Sequence, residues 1–385
     1  MVAAAPFRCL VMLPKGHPNL AARLLSGMVA SIVSLPGWVI IHEPELASVE
    51  DFRRGLAAQR WDGILALPSG WSVGGPLHGL SLPVVTMANV EADLPGVLID
   101  DVLVGKLAAS HAGGPGRHQV VVGDWDVPWQ QDRIRGWKAV YPDAPVHWIT
   151  RDPRTSRDLL AHLPRPATLF ALHDLLAESL VLAAHDLGLR VGSEVRIIGV
   201  DDSPRARLSR PTLSSIALPI EAVGRQAVRL LADVVAGRPV ERRQRIPPLA
   251  VMRRASSDPL HDGPTWLQEI QEHLRMSVYA GESKTIPQLL SGFGRSRSTI
   301  ERAWRATTGE TLLDALRLLR CQVALERLQE GNRDLAAVAA SLGLPGRRNL
   351  NRLLRQCLGG ELADAMTMGT STEVPIAATR PGGGP

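Results

Sequence analysis

Residues 195–203, Val-Arg-Ile-Ile-Gly-Val-Asp-Asp-Ser, decide the fold. Positions 195–200 form a short, largely apolar run without polar alternation, as expected of a strand in a parallel sheet covered on both faces. The run ends on Asp201, and an acid at that end of a strand sits where open α/β sheets bind ligands. Outward from it, residues 7–13, 38–42, 63–67, 84–87, 119–122 and 168–172 read as strands of the same kind. Residues 20–35, 49–59, 102–111, 129–140, 175–187 and 220–235 carry helical periodicity. About 250 residues of this alternation exceed one small sheet and predict two αβα lobes over 7–255.

The pattern changes after that. Residues 256–264, Ser-Ser-Asp-Pro-Leu-His-Asp-Gly-Pro, are rich in turn formers and predict a linker over 256–265. Residues 266–368 hold helical periodicity alone and predict an all-α domain. The end, 369–385, closes on Arg-Pro-Gly-Gly-Gly-Pro and is expected to be disordered.

Composition narrows the function classes. The chain has 385 residues, 45% apolar and 21% charged, which is globular. Cys9, Cys321 and Cys357 are too few and too widely spaced for a disulfide framework or a Cys-x-x-Cys clip. No zinc motif, P-loop or Gly-x-Gly-x-x-Gly is present, so neither metal nor cofactor is expected. The start lacks a basic segment followed by an apolar one, which predicts a cytoplasmic protein. Residues 24–41 carry no charge over 18 positions, yet Pro36-Gly37 divides them. Helix, turn and strand explain them better than a membrane span. One enzymatic alternative exists: Gly70-Trp-Ser-Val-Gly74 matches the nucleophile elbow of hydrolases and would make Ser72 the nucleophile. That chemistry needs a helix directly after the turn, and here Gly75-Pro76 follows.

The helical region repeats one pattern. Residues 286–294, an apolar segment ending in Phe-Gly, precede Arg-Ser-Arg-Ser-Thr-Ile-Glu-Arg-Ala-Trp at 295–304. Residues 335–343, an apolar segment ending in Leu-Gly, precede the arginine-bearing run 344–354. Helix, glycine turn and arginine-bearing helix, twice over, is helix-turn-helix anatomy. Ile300 and Trp304 share one face of the first arginine helix, as Leu350 and Leu354 do of the second; both faces should pack inward. Arg297, Ser298, Glu301 and Arg302 lie elsewhere on the first, and Arg347, Arg348, Asn351 and Arg352 on the second. Arginine and asparagine bond bidentately to guanine and adenine, and glutamate accepts from cytosine, so these sets suit base edges. Arg305 and Arg355 suit phosphates.

Residues 283–366 resemble the paired helix-turn-helix domain of AraC-type transcription regulators. The resemblance rests on residues 296–312 (Ser-Arg-Ser-Thr-Ile-Glu-Arg-Ala-Trp-Arg-Ala-Thr-Thr-Gly-Glu-Thr-Leu), on 335–343 and on the arginine helix that follows. Leu344 and Leu350 replace aromatics common there, and Leu362 a proline. Ile197-Ile-Gly-Val-Asp-Asp-Ser203, Trp61-Asp-Gly-Ile-Leu65, Ile99-Asp-Asp-Val102 and Asp132-Arg-Ile-Arg-Gly-Trp137 resemble the sugar-sensing core of LacI/GalR-type regulators. The expected fold is therefore a two-lobed, periplasmic-binding-protein-like α/β sensor followed by an all-α domain with two helix-turn-helix units. Sensor first and reader second resembles the regulators of bacterial xylose operons. The resemblance implies a sugar effector, DNA and a homodimer, with RNA polymerase as a partner if the protein activates. It makes Asp201, Arg133 and Asp101 the polar ligand groups and places His173 where many sugar sensors carry asparagine, beside Asp174. Trp71, Trp125 and Trp129 are stacking candidates for a sugar face, or core residues. A DNA-binding regulator with a vestigial or non-sugar sensor is the alternative.

Overall fold

The computed structural model describes residues 6–14, 18–44, 49–67, 77, 79–88, 94–113, 116–150, 152–258, 260, 263–329, 332, 334–358 and 363. The chain divides into two units, Met1–Thr265 and Trp266–Pro385.

The first unit runs β1 (Phe7–Leu13), α1 (Pro18–Ile32), β2 (Trp38–Pro44), α2 (Val49–Ala58), β3 (Gly63–Ala66), β4 (Val84–Thr86), β5 (Gly96–Ile99) and α3 (Asp101–Ala112). It continues with β6 (His118–Gly123), α4 (Pro128–Lys138), β7 (Val146–Trp148), α5 (Pro153–His162), β8 (Ala167–Ala171) and α6 (Asp174–Asp186). Then come β9 (Val195–Asp201), α7 (Pro204–Leu208), β10 (Ser214–Ala217), α8 (Ile220–Val235), β11 (Arg243–Ile246) and β12 (Ala250–Met252).

Among the described residues these strands form two six-stranded sheets, ordered β11-β5-β4-β3-β1-β2 and β12-β10-β9-β8-β6-β7. Pairing is parallel except between β10 and β12. Without the outer β11 and β12, each lobe shows the same doubly wound order, with its strand order reversing between β1 and β3 in one and between β6 and β8 in the other. The chain crosses between lobes after β5, before α8 and after β11, and hydrogen bonds tie the crossings together: Asp100 N to Ile246 O at 2.9 Å, Leu249 N to Ala217 O at 2.9 Å.

Both faces of each sheet are covered. In β1, Cys9, Val11 and Leu13 pack with Leu24, Met28 and Leu231, while Leu10 and Met12 pack oppositely with Trp61, Ile64 and Leu77. That two-sided burial explains the near-continuous apolar runs. The strands missed in the sequence, β5, β7, β10, β11 and β12, are only three or four residues long. The expected linker also begins as packed structure. A short turn at Ala255–Ser257 buries Ser256, whose hydroxyl accepts from Ser214 N (2.9 Å) and donates to Ile197 O (2.6 Å). Serines read as turn formers here cap the edge of a sheet.

The second unit holds α9 (Thr265–Tyr279), α10 (Ile286–Leu289), α11 (Arg297–Thr308), α12 (Leu312–Gln329), α13 (Leu335–Ala340) and α14 (Arg347–Leu358). Its buried side chains include Leu267, Ile270, Leu274, Ile300, Trp304, Leu316, Val338, Leu350 and Leu354. The stretch 369–385 lies outside the described residues.

Candidate ligand cleft and candidate nucleic-acid interface

Asp100 follows β5 and caps the next helix, its Oδ1 accepting from Leu103 N at 3.0 Å, which leaves Asp101 as the first residue of α3. Helix α4 crosses α3 closely because Gly105 and Gly136 lie at the crossing: a Cβ on Gly105 would strike the Arg133 carbonyl, and one on Gly136 the Val102 carbonyl. That approach sets Arg133 against Asp101, Nε to Oδ1 at 2.8 Å, both buried. The Arg133 Nη1 donates to the Leu172 carbonyl at the end of β8, and the guanidinium lies 4.6 Å over the Trp129 ring. Burial pushes the Asp101 carboxyl above the usual carboxylate range; Arg133 opposes this, and the charges of Asp132 and Asp201 add to it.

A second group sits where the strand order reverses, between the ends of β6 and β8, the place where such sheets bind ligands. His173 precedes α6, and its Nδ1 accepts from Leu176 N at 3.1 Å. Its Nε2 therefore carries the proton and faces Asp124 Oδ1 at 3.1 Å. Gln130 Nε2 donates to the same oxygen at 2.8 Å. Asp124 and Gln130 escaped the sequence reading, although Asp124 follows an apolar strand as Asp201 does. The Trp129 ring centroid lies 6.3 Å from that of His173. Carboxylates, imidazole, amide, guanidinium and an indole face thus converge, a set able to bond several hydroxyls and stack on a ring.

Asp201 ends β9 with φ 111°, followed by Asp202 at φ 49°. Two non-glycine residues with positive φ at a strand end are stored strain of the kind found at binding sites. Asp202 is buried and pairs with Arg254 at 2.7 Å. From the other lobe, Arg23 of α1 holds Glu221 through two bonds (2.7 and 2.9 Å) and reaches the Leu218 and Asp201 carbonyls at 2.9 and 3.5 Å.

Asp174 departs from its expected role. It is 2% exposed, its Oδ2 accepts from Ser203 N (2.7 Å) and its Oδ1 bonds Ser215 Oγ (2.6 Å). It ties the start of α6 to the start of α7 and to β10, and it is buried rather than facing the cleft. Burial, then the Asp201 charge, push its carboxyl up to about 8. Trp125 stands in the β6–α4 loop, 44% exposed. Trp71 and Ser72 lie outside the described residues. A separate groove of about 690 Å³ opens at the opposite end of the second sheet, lined by His118, Tyr141, His147 and His162 among others. None of the cleft residues lines it.

In the second unit, Ser296 caps α11, its Oγ accepting from Thr299 N at 3.2 Å, and Gly309 ends that helix at φ 79°. Ile300 and Trp304 are buried, while Arg297, Ser298, Arg302 and Arg305 are exposed. Glu301 is half-buried and its Oε1 accepts from Arg297 Nε at 2.7 Å along the helix. On α14, Leu350, Leu353 and Leu354 are buried and Arg347, Arg348, Arg352 and Arg355 are exposed. Asn351 is half-buried and its side-chain oxygen is enclosed without a hydrogen-bond partner, which sets it back from the exposed arginine row. Among the described residues, no helix is long and apolar enough to cross a membrane.

Comparison with known proteins bears on this geometry. Residues 110–257 match the periplasmic binding protein-like domain family. The HTH-type transcriptional repressor PurR of Salmonella newport is 27% identical over 231 residues, covering 53% of this chain; the chain spans 65% of that relative's length. A regulatory protein of the LacI family from Chloroflexus aggregans superposes with a TM-score of 0.57 at 23% identity, over 66% of this chain and 99% of the other. The xylose-binding transcription activator xylR superposes with a TM-score of 0.55 at 18% identity, over 94% of this chain and 99% of the other. The two-lobed α/β fold is that of these proteins. Each of these three is a transcription regulator by its own description: a repressor, a regulatory protein of the LacI family and a xylose-binding activator.

Proposed function

We propose that the chain is an effector-responsive DNA-binding transcription regulator. The first unit closes its lobes on a sugar, xylose or a similar one, and the second carries two helix-turn-helix units, of the AraC kind, that enter neighbouring major grooves. The observation that carries this reading is the pair of helices α11 and α14. Each buries an apolar face and exposes a row of arginines, in a chain that also holds a polar cleft at a sheet switch point. Closure shifts a population between two arrangements of a dimer on adjacent sites, and the order of sensor and reader supports activation of a sugar operon with RNA polymerase as the partner.

The test is binding of the full chain to duplex DNA against salt, with and without a panel of pentoses, hexoses and polyols. Arg302→Ala and Arg348→Ala should each cost about 1–3 kcal/mol and relax preference at one base pair. Arg305→Ala and Arg355→Ala should weaken all sequences alike and flatten the salt slope by about one each. A uniform loss from all four overturns the assignment of faces.

One observation favours a second reading. Arg133, the guanidinium of the cleft, commits its Nε to Asp101 and its Nη1 to the Leu172 carbonyl, bonds internal to the fold that suit a DNA-binding regulator with a vestigial or non-sugar sensor. Asp201→Ala separates the two. If it leaves transcription unchanged while Arg302→Ala and Arg348→Ala abolish it, the sensor is vestigial.

A further inference from the structure

Cys321 of α12 and Cys357 of α14, distant in sequence, form a thiol–thiol hydrogen bond where the two helices touch. Both are free, and they differ in setting: Cys321 is fully buried, whereas Cys357 is half-buried in the last turn of α14. We propose that the pair is an oxidative modification site, at which a hydroperoxide forms an intramolecular disulfide that fixes the arginine-bearing α14 against α12.

The settings suit an attacking and a resolving thiol. The bond to Cys357, then burial, push the Cys321 thiol up, so that Cys321 keeps its proton and donates it. The same bond, with the Arg317 guanidinium, draws Cys357 down against burial. Reactive thiols are those with thiolate character and access. The Cys357 thiolate attacks one peroxide oxygen; the S–O bond forms, the O–O bond breaks, and hydroxide leaves to become water. The Cys321 sulfur then attacks the sulfenic sulfur, the S–S bond forms, and the sulfenic oxygen departs as water with the Cys321 proton. Two thiols and one hydrogen peroxide become one disulfide and two waters. The sulfurs must close from hydrogen-bond contact to about 2.05 Å, which draws the end of α14, two residues past Arg355, toward α12. Cys9, buried in the first unit with its thiol pushed up to about 12 by burial, stays inert.

The experiment treats the reduced full chain with one equivalent of hydrogen peroxide, counts thiols and maps peptides without reduction. Two of the three thiols should vanish into a Cys321–Cys357 linkage that dithiothreitol reverses. Cys321→Ser should leave a sulfenic acid on Cys357 that dimedone captures, and Cys357→Ser should slow peroxide consumption at least about tenfold. Three surviving thiols, or a Cys357–Cys357 link between copies, overturn the proposal. A second arm compares binding of both redox forms to a mixed-sequence duplex, with an expected drop of about tenfold on oxidation, restored by dithiothreitol. This arm rests on the reading of α14 as DNA-facing. If neither form binds, that reading fails and the modification site stands; if both bind alike, the fixing of α14 as a switch is overturned.

Discussion

Arg133 lies at the centre of the polar cleft, and its removal leaves Asp101 buried without its counter-ion. Breaking a buried pair from one side costs about 3–5 kcal/mol. Arg133→Ala should therefore lower the first unit's urea stability by that order, as well as abolish effector binding. Asp174 yields a prediction with a sign. Its carboxyl, held at about 8 by burial and by Asp201, keeps its proton in the folded chain, whereas the unfolded chain releases it near 3.9. Between those values the folded state binds the extra proton, so this contribution is full below about pH 4 and is lost as pH rises through about 8. Urea midpoints measured from pH 5.5 to 8.5 should fall, and Asp174→Asn should remove that part of the fall. An unaltered slope in the variant assigns it elsewhere. Residues also differ in how legible they were. Asp101, Arg133 and Asp201 stand at strand ends or on a motif that sequence displays. The tie made by Asp174 depends on Ser203 and Ser215, distant partners that only folding brings together, and Asp124 likewise gains its place from His173, which the fold sets against it.

Elements were legible in proportion to their length. Helices of ten residues or more with one apolar face announced themselves, as α1, α8, α11 and α14 did, though α5 (Pro153–His162) passed unnoticed. A strand of three residues such as Val146–Trp148 has too few positions to show any period. The duplicated turn before each arginine helix was visible through its glycine, but the demands on the glycines were not. Gly343 has φ 66°, and a Cβ there would strike the Glu282 carbonyl. Gly309, which follows α11 rather than preceding an arginine helix, has φ 79° with open space around it. Gly309→Ala should cost only the backbone term, about 1–2 kcal/mol. Gly343→Ala should cost more, because the α13–α14 turn must also move away from residue 282. Equal losses in the second unit's unfolding would show that the carbonyl yields without strain.

At the scale of the molecule, the first unit responds to a ligand only if its lobes have two arrangements and something differs between them. The three crossings join the lobes, and a charged contact also spans them: Arg245 on β11 faces Asp132 on α4 at 3.6 Å, while the other Asp132 oxygen holds Arg135 at 2.9 Å. Arg245 belongs to one lobe and Asp132 to the other, so opening separates them and closing joins them. The guanidinium is 44% exposed, and screened pairs of this kind contribute about 0–1 kcal/mol. A bias of that size toward the closed form changes the apparent affinity by at most about fivefold, because affinity scales with the fraction of competent protein. Arg245→Ala should therefore raise the effector's Kd by up to about fivefold, and the difference should shrink as salt is added. On the proposed reading, Arg133→Ala should by contrast remove effector binding at any salt. Calorimetric titration of both variants at low and high ionic strength separates a contact that biases closure from one that holds the ligand. A tighter Kd in Arg245→Ala would mean that the contact holds the lobes in the arrangement that excludes the effector.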